Sequence, residues 1–340
     1  MSNATVKAQR RLFGAKNQHI WRLVVVMVIW MIFMAITRFN KFYTLINFQT
    51  MASQFPEFGL MALGVMLCMI TGGIDLSTVG VANLTAILMA FLLKGMASPE
   101  GDLPFYAIPL VFVLSILCGA ILGAFNGLLV SKIHIPPILA TLGVSELLAG
   151  IAIVLTNGAA VSKLPMGYAM AVTSRIGGLV PVQLIIFTVM ALIVWFLLSR
   201  TTFGTKIYML GTNAQAARYS GLNNDWLLIK TYMLSGICAA LGGMIMLANY
   251  NSARANYGSV YVLQCVLIVV LGGVSPSGGK GRISGVVLAI LLLRMLETGI
   301  NRFPQISSYY ISLIWGGVLL LVMVLDYFTE NKPRWLRRKV

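Results

Sequence analysis

The chain has 340 residues, of which 59% are hydrophobic and 10% charged, with a mean hydropathy of +0.88. A soluble domain runs nearer half apolar and a quarter charged, so this excess excludes a single soluble core and sets much of the chain against lipid. The formal charge of +16 would suit nucleic acid, but the cations sit between apolar runs rather than in a stripe interleaved with aromatics, which excludes that partner and points to membrane lipid.

Apolar runs long enough to cross a bilayer, at about 20 residues each with some shorter, fall over residues 22–37, 54–71, 78–93, 106–130, 137–156, 182–199, 228–249, 260–274, 284–300 and 309–326. The expected fold is an all-α polytopic membrane protein of about ten transmembrane helices, a single membrane-spanning domain over 1–340. A basic tail, 1–21, precedes the first run, and the absence of a small-residue cleavage site after that run implies a retained helix. With the N-terminus inside, 17 of the 25 Lys and Arg fall on the inner side and seven on the outer, with Arg294 left in a span. That asymmetry places both tails, 1–21 and 327–340, and the 200–227 connection in the cytoplasm.

Two inner connections repeat one pattern 200 residues apart: Gly72-Gly73-Ile74-Asp75-Leu76-Ser77 and Gly272-Gly273-Val274-Ser275-Pro276-Ser277. A Gly pair costs a helix about 2 kcal/mol relative to Ala, so both read as Gly-broken segments. Breaks repeated in two halves mark internal duplication and the solute pathway in transporter folds. Tight turns between hydrophobic hairpins are the plainer alternative.

The connection from Arg200 to Asn224 holds a short helix with readable ends. Thr212 is placed to cap it with Gln215 completing a capping box, and Gly221 to close it in a left-handed conformation. Ala214, Ala216, Ala217 and Ser220 keep its profile low, and Gly211 and Asn213 belong to the same docking segment. That suits a plug for another protein's groove better than a lipid-surface helix, which needs a large apolar face.

Cys68, Cys118, Cys238 and Cys265 lie in apolar runs without a C-x-x-C spacing, and His19 and His134 stand apart from them. No metal site or disulfide is expected. A phosphate loop of the form G-x-x-x-x-G-K-S/T is missing too: Gly279-Lys280 is followed by Gly281, and Val274 stands where the leading Gly belongs. Gly278-Gly279-Lys280-Gly281-Arg282 reads as a topology determinant rather than a phosphate cradle. No cofactor is expected in this chain, and no nucleophile–base pairing suggests a membrane enzyme.

Five motifs in order carry a family resemblance: Thr71 to Ser77; Gly123-Ala124-Phe125-Asn126-Gly127; Ile135-Pro136-Pro137 with Ala140-Thr141-Leu142-Gly143; Gly211 to Asn223; and Gly272-Gly273 through Arg282. Together they resemble the ribose/simple-sugar class of ATP-binding-cassette importer permeases, over nearly the whole chain. The resemblance implies a bacterial inner-membrane permease that passes a monosaccharide by alternating access. It also implies partners: a second permease chain, identical or paralogous, a cytoplasmic ATPase engaged by Gly211–Asn223, and a periplasmic sugar-binding protein. Thr78 and Val79 depart from the family's usual continuation after Ser77. Permeases for nucleosides or branched-chain amino acids share the architecture, and an ion-coupled secondary transporter is the alternative from another mechanism class.

On this footing Asp75 reads as the cap of the following helix, with gating or sugar hydroxyl binding as its other role. Glu146, Arg294 and Glu297 lie inside spans, where such residues face the bundle interior or a watery cavity. Arg294 and Glu297, one turn apart, pair within their helix, and structural and transport roles stay open for all three. The polar stretch Asn249, Asn251, Ser252, Arg254, Asn256 and Tyr257 is either a solvated loop or the outer rim.

Overall fold

A computed structural model describes residues 18–303 and isolated positions from 305 to 320. Residues 1–17, the tail 327–340 and most of the expected span 309–326 lie outside the described residues. Among the described residues, eight helices are long and apolar enough to cross a membrane. They are α1 (Gln18–Phe42), α2 (Leu45–Ile70), α3 (Thr78–Met96), α4 (Ala107–Ser131), α5 (Pro137–Thr156), α7 (Val182–Arg200), α10 (Asn224–Tyr250) and α12 (Ile283–Ile300). Between them lie α6 (Met166–Thr173), a two-stranded ribbon of β1 (Arg175–Ile176) and β2 (Val180–Pro181), α8 (Thr202–Thr212), α9 (Ala214–Tyr219) and α11 (Tyr261–Leu271). The protein is an all-α, multi-pass membrane protein.

Several boundaries depart from expectation. Helix α1 takes in residues 18–21 of the basic tail. Helix α2 starts nine residues before the expected 54, because Thr44 caps it by accepting from Asn47 N at 3.2 Å. Polar residues that lowered the hydropathy there are buried and paired: Asn47 Nδ2 donates to Phe42 O, and Gln49 Nε2 donates to Gly178 O. The expected 260–274 span shrinks to the eleven residues of α11, about 16 Å long and half a bilayer core.

The connections gather at two ends. At one, Lys94 Nζ reaches Ser162 O, Val161 bridges Ala253, and Arg175 bonds Gln49. At the other, Gly279 N donates to Ile70 O, Tyr208 Oη donates to Gly281 O, and Lys132 pairs with Asp225 at 2.8 Å. Alternate connections therefore fall on alternate faces, as a serpentine of spans requires.

Helices α2 and α10 form the centre and are buried nearly all round, the condition for apolar residues on every face. Gly119, Gly123 and Gly127 put one small stripe of α4 directly on the backbone of α10 at Gly236, Tyr232 and Ile229. Close backbone approach of this kind is what binds helices where lipid removes the hydrophobic drive. A methyl group at Gly123 would clash with the Tyr232 carbonyl, whereas one at Gly143 meets nothing within 4 Å. Gly123→Ala should therefore cost about 1–3 kcal/mol. It should lower the melting temperature of the detergent-solubilised protein by several degrees, with Gly143→Ala as the neutral control; equal melting temperatures would refute this close approach.

Candidate functional site

The two glycine-paired connections, 71–77 and 272–282, meet. Helix α2 ends at Ile70 and α11 at Leu271, and both chains turn through left-handed glycines, Gly72 (φ +88°) and Gly273 (φ +84°), a conformation that side chains with a Cβ resist. Gly278 packs on the Gly72 backbone, and a Cβ on Gly72 would lie 3.7 Å from Ser277 O. Gly211, at the end of α8, lodges between Ile70 O and Gly279 N, which are themselves hydrogen-bonded at 2.8 Å. Any side chain at Gly211 would wedge this junction apart. Gly272 rests on Val286 of α12, and Ser275 Oγ lies 2.7 Å from Ser277 Oγ.

Asp75 is buried inside the first break. It does not cap α3 as expected: the N-cap is Ser77, which makes no side-chain cap bond. One Asp75 oxygen accepts from Ser77 N at 3.0 Å and Ser77 Oγ at 2.6 Å, and the other accepts from Ser235 Oγ on α10 at 2.6 Å. Asn126 Nδ2 of α4 donates to Ser77 Oγ at 2.7 Å. Gly73 packs beside the Tyr232 hydroxyl and Pro137. Thr141 Oγ1 of α5 accepts from Leu76 N and contacts Ile74 O, each at 3.1 Å. The carboxylate thus organises the turn and ties it to α10, while Asn126 through Ser77 and Thr141 through the backbone add α4 and α5.

The 200–227 connection holds two helices rather than one. Helix α8 seats Gly204, Ile207 and Leu210 inward, a one-sided spacing that the sequence displays. The cap of α9 is Asn213, whose side chain accepts from Ala216 N at 3.0 Å; Thr212 Oγ1 instead donates back to Tyr208 O. A carboxamide one residue later wins because Thr212 still belongs to α8. Gly221 (φ +81°) ends α9, and Leu222 N donates to Ala217 O. Ala217 is buried, not on the presented face as expected. The presented residues are Ala214, Gln215, Ala216, Arg218, Ser220 and above all Tyr219, 91% exposed. Beside them an open groove of about 500 Å³ is lined by Thr205, Tyr208, Met209, Thr212, Ala216 and Ser220.

A second polar centre, absent from the sequence reading, surrounds Glu57 of α2. Tyr261 Oη, at the start of α11, donates to it at 2.5 Å and Asn249 Nδ2 at 2.8 Å; Gln183 Nε2 donates to Asn249 Oδ1 at 2.6 Å. Asn83 of α3 donates to Ala255 O and Tyr257 O. The 249–257 stretch is therefore folded onto α2 and α3 rather than being a plain solvated loop. Glu57 stood near the edge of its apolar run, where a charge drew no attention. Arg294 and Glu297 pair at 2.8 Å on α12 and are partly buried, whereas Glu146 is exposed on α5.

Residues 47–323 match the family described as the branched-chain amino acid transport system permease component. The chain belongs to this family. It is 33% identical to the ribose import permease of Bacillus subtilis over 284 residues, 83% of this chain and 84% of that one. The ribose import permease of Escherichia coli K12 is 32% identical over 335 residues, 96% of this chain and 99% of the relative. For the galactose/methyl galactoside import permease of the same strain the figures are 31% over 311 residues, 88% and 92%. No solved structure matches the chain significantly.

Proposed function

We propose that this chain is the membrane-spanning subunit of an ATP-binding-cassette importer that passes a monosaccharide into the cytoplasm. The observation that carries the reading is the junction at Gly211, where the end of α8, which leads directly into the short presented helix, meets both helix breaks. Force applied to α9 would pass through α8 to the ends of α2 and α11, the places where a solute path through broken helices would open. The names of the relatives, permeases for ribose and for galactose/methyl galactoside, support a sugar as solute.

The remaining parts follow from the same reading. A cytoplasmic ATPase docks on α9 and hydrolyses the ATP, since this sequence has no phosphate loop. A second permease chain, identical or paralogous, completes the path, and a periplasmic sugar-binding protein delivers from the other side. The membrane is the bacterial inner membrane, with both termini cytoplasmic, which the distribution of Lys and Arg favours.

The deciding experiment co-expresses the permease with the ATPase and binding protein encoded beside it and measures uptake into proteoliposomes. Ribose, galactose, allose and leucine form the panel. ATP-dependent uptake of a sugar is expected; uptake of leucine alone would shift the reading to the amino-acid class that the family description names. Topology is tested separately. Ser98, Ser174, Thr205 and Ser277 are all exposed, so single cysteines at Ser98 and Ser174 should label from outside and those at Thr205 and Ser277 only after the membrane is opened. External labelling at Thr205 would overturn the orientation.

A further inference from the structure

Near the middle of the spanning helices, the acidic and basic side chains among the described residues are Glu57, Glu146 and Arg294. Two of them have partners: Glu57 accepts from Tyr261 and Asn249, and Arg294 pairs with Glu297. Glu146 is exposed, and no hydrogen bond or ion pair joins it to any described residue. It stands tenth among the twenty residues of α5, as far from either end of that helix as a residue can be. A short carboxylate there has no long stem with which to reach the headgroups.

The face it occupies is defined by what α5 buries. Ala140, Thr141, Val144, Leu148 and Ala152 seat the helix inward. At about 100° per residue, Glu146 points away from that seat. Gly143 and Gly150 flank it on the same outward face, and a Cβ at either would meet nothing within 4 Å. The same face also carries Leu139, Leu142 and Ile153, exposed and bulky like Leu117 and Ile121 of α4 and Leu192 and Phe196 of α7, so the carboxylate is set in an otherwise apolar surface. A bare carboxylate at mid-helix is what lipid does not accommodate, because intramembrane acids face water or a partner.

We propose that Glu146 lines the aqueous translocation path and accepts hydrogen bonds from hydroxyl groups of the passing monosaccharide. This rests on the importer reading above. A neutral polyol offers hydroxyl donors, and a carboxylate binds them more strongly than an amide does. The flanking glycines leave room for a ring against the helix. Helix α5 is also joined to the drive: Thr141, five residues before Glu146, holds Leu76 N of the first break, and that break packs on Gly278 and lies beside Gly211.

The test uses the complete transporter in proteoliposomes, with Cys118 changed to Ser because the other three cysteines are buried. Glu146→Cys should react with a membrane-impermeant methanethiosulfonate and be protected by the transported sugar, while Leu117→Cys on α4 stays unreactive. Glu146→Gln should lower uptake about fivefold and Glu146→Leu at least about twentyfold, the first keeping a weaker acceptor and the second none. Insertion and ATP hydrolysis stimulated by the loaded binding protein should survive in both. An unreactive Glu146→Cys, or wild-type uptake by Glu146→Leu, overturns the proposal. A wild-type complex that moves no monosaccharide sinks the importer reading instead, and the thiol reactivity then still reports whether this face is wet.

Discussion

Replacing Tyr219 by Ala is expected to lower ATP-driven uptake at least about tenfold while leaving the fold intact. Tyr219 ends α9 and is 91% exposed, so its removal strips no buried contact from the permease itself. Surface truncations of this sort usually change stability by less than about 0.5 kcal/mol. Its setting is nevertheless rigid. Asn213 caps the helix, Asn224 Nδ2 holds Ala214 O at 2.8 Å, and Gly221 closes the far end. A rigid, protruding tyrosine beside a groove has the character of an interface anchor, and such anchors cost about 2 kcal/mol or more when truncated. The measurement pairs sugar uptake with co-purification of the ATPase, and both should fall together. Retained uptake would mean that the ATPase does not dock on this helix. Ala217→Trp behaves differently: Ala217 is buried, so the larger ring should unseat α9 and reduce folded protein rather than overfill a partner's groove.

That contrast shows where the sequence was legible and where it was not. The spans were readable because lipid imposes one rule along the whole helix, apolar residues over about 20 positions; α5 and α7 begin where that rule places them. The start of α2 was not readable, because Asn47, Gln49 and Glu57 are accommodated by partners 129 or more residues away or by the chain just before them, and local hydropathy cannot register a partner. Helix α11 failed for the opposite reason: its apolar run continues past Leu271, but Gly272 and Gly273 end the helix.

At the site, both glycine pairs and the 211–221 segment stood out from their residue types alone. What could not be read was their meeting, since Ile70, Gly211 and Gly279 are joined only by the fold. The cap of α9 was misplaced by one residue because Thr212 and Asn213 are both good caps, and only the end of α8 decides between them. The Glu57 centre was missed entirely. Its signal was present in a charge thirteen residues short of the helix end, next to Pro56 and within an otherwise apolar stretch, which is a functional or structural marker in any spanning helix.

Arg294→Leu is expected to lower the amount of folded protein in the membrane several-fold. Arg294 and Glu297 are one turn apart on α12 and bonded at 2.8 Å, with their side chains only 15% and 24% exposed. Removing the cation leaves the Glu297 carboxylate without its partner in a partly buried position. Breaking a buried pair by taking one member typically costs about 3–5 kcal/mol, reduced here because both groups keep some exposure. Folded protein in the membrane should therefore fall several-fold, read by size-exclusion fluorescence of a tagged permease. Adding Glu297→Leu removes the stranded charge, so the double variant should recover part of the yield, and the difference between the two is the coupling of the pair. If uptake recovers in step with protein, the pair is a structural clasp in α12, which Trp30 of α1 also grips through Met295 O at 3.1 Å. Protein that returns without uptake would give the charges a part in the path itself. An Arg294→Leu variant with normal yield and uptake would mean that Glu297 finds water without its arginine, and the burial of this turn of α12 would be refuted.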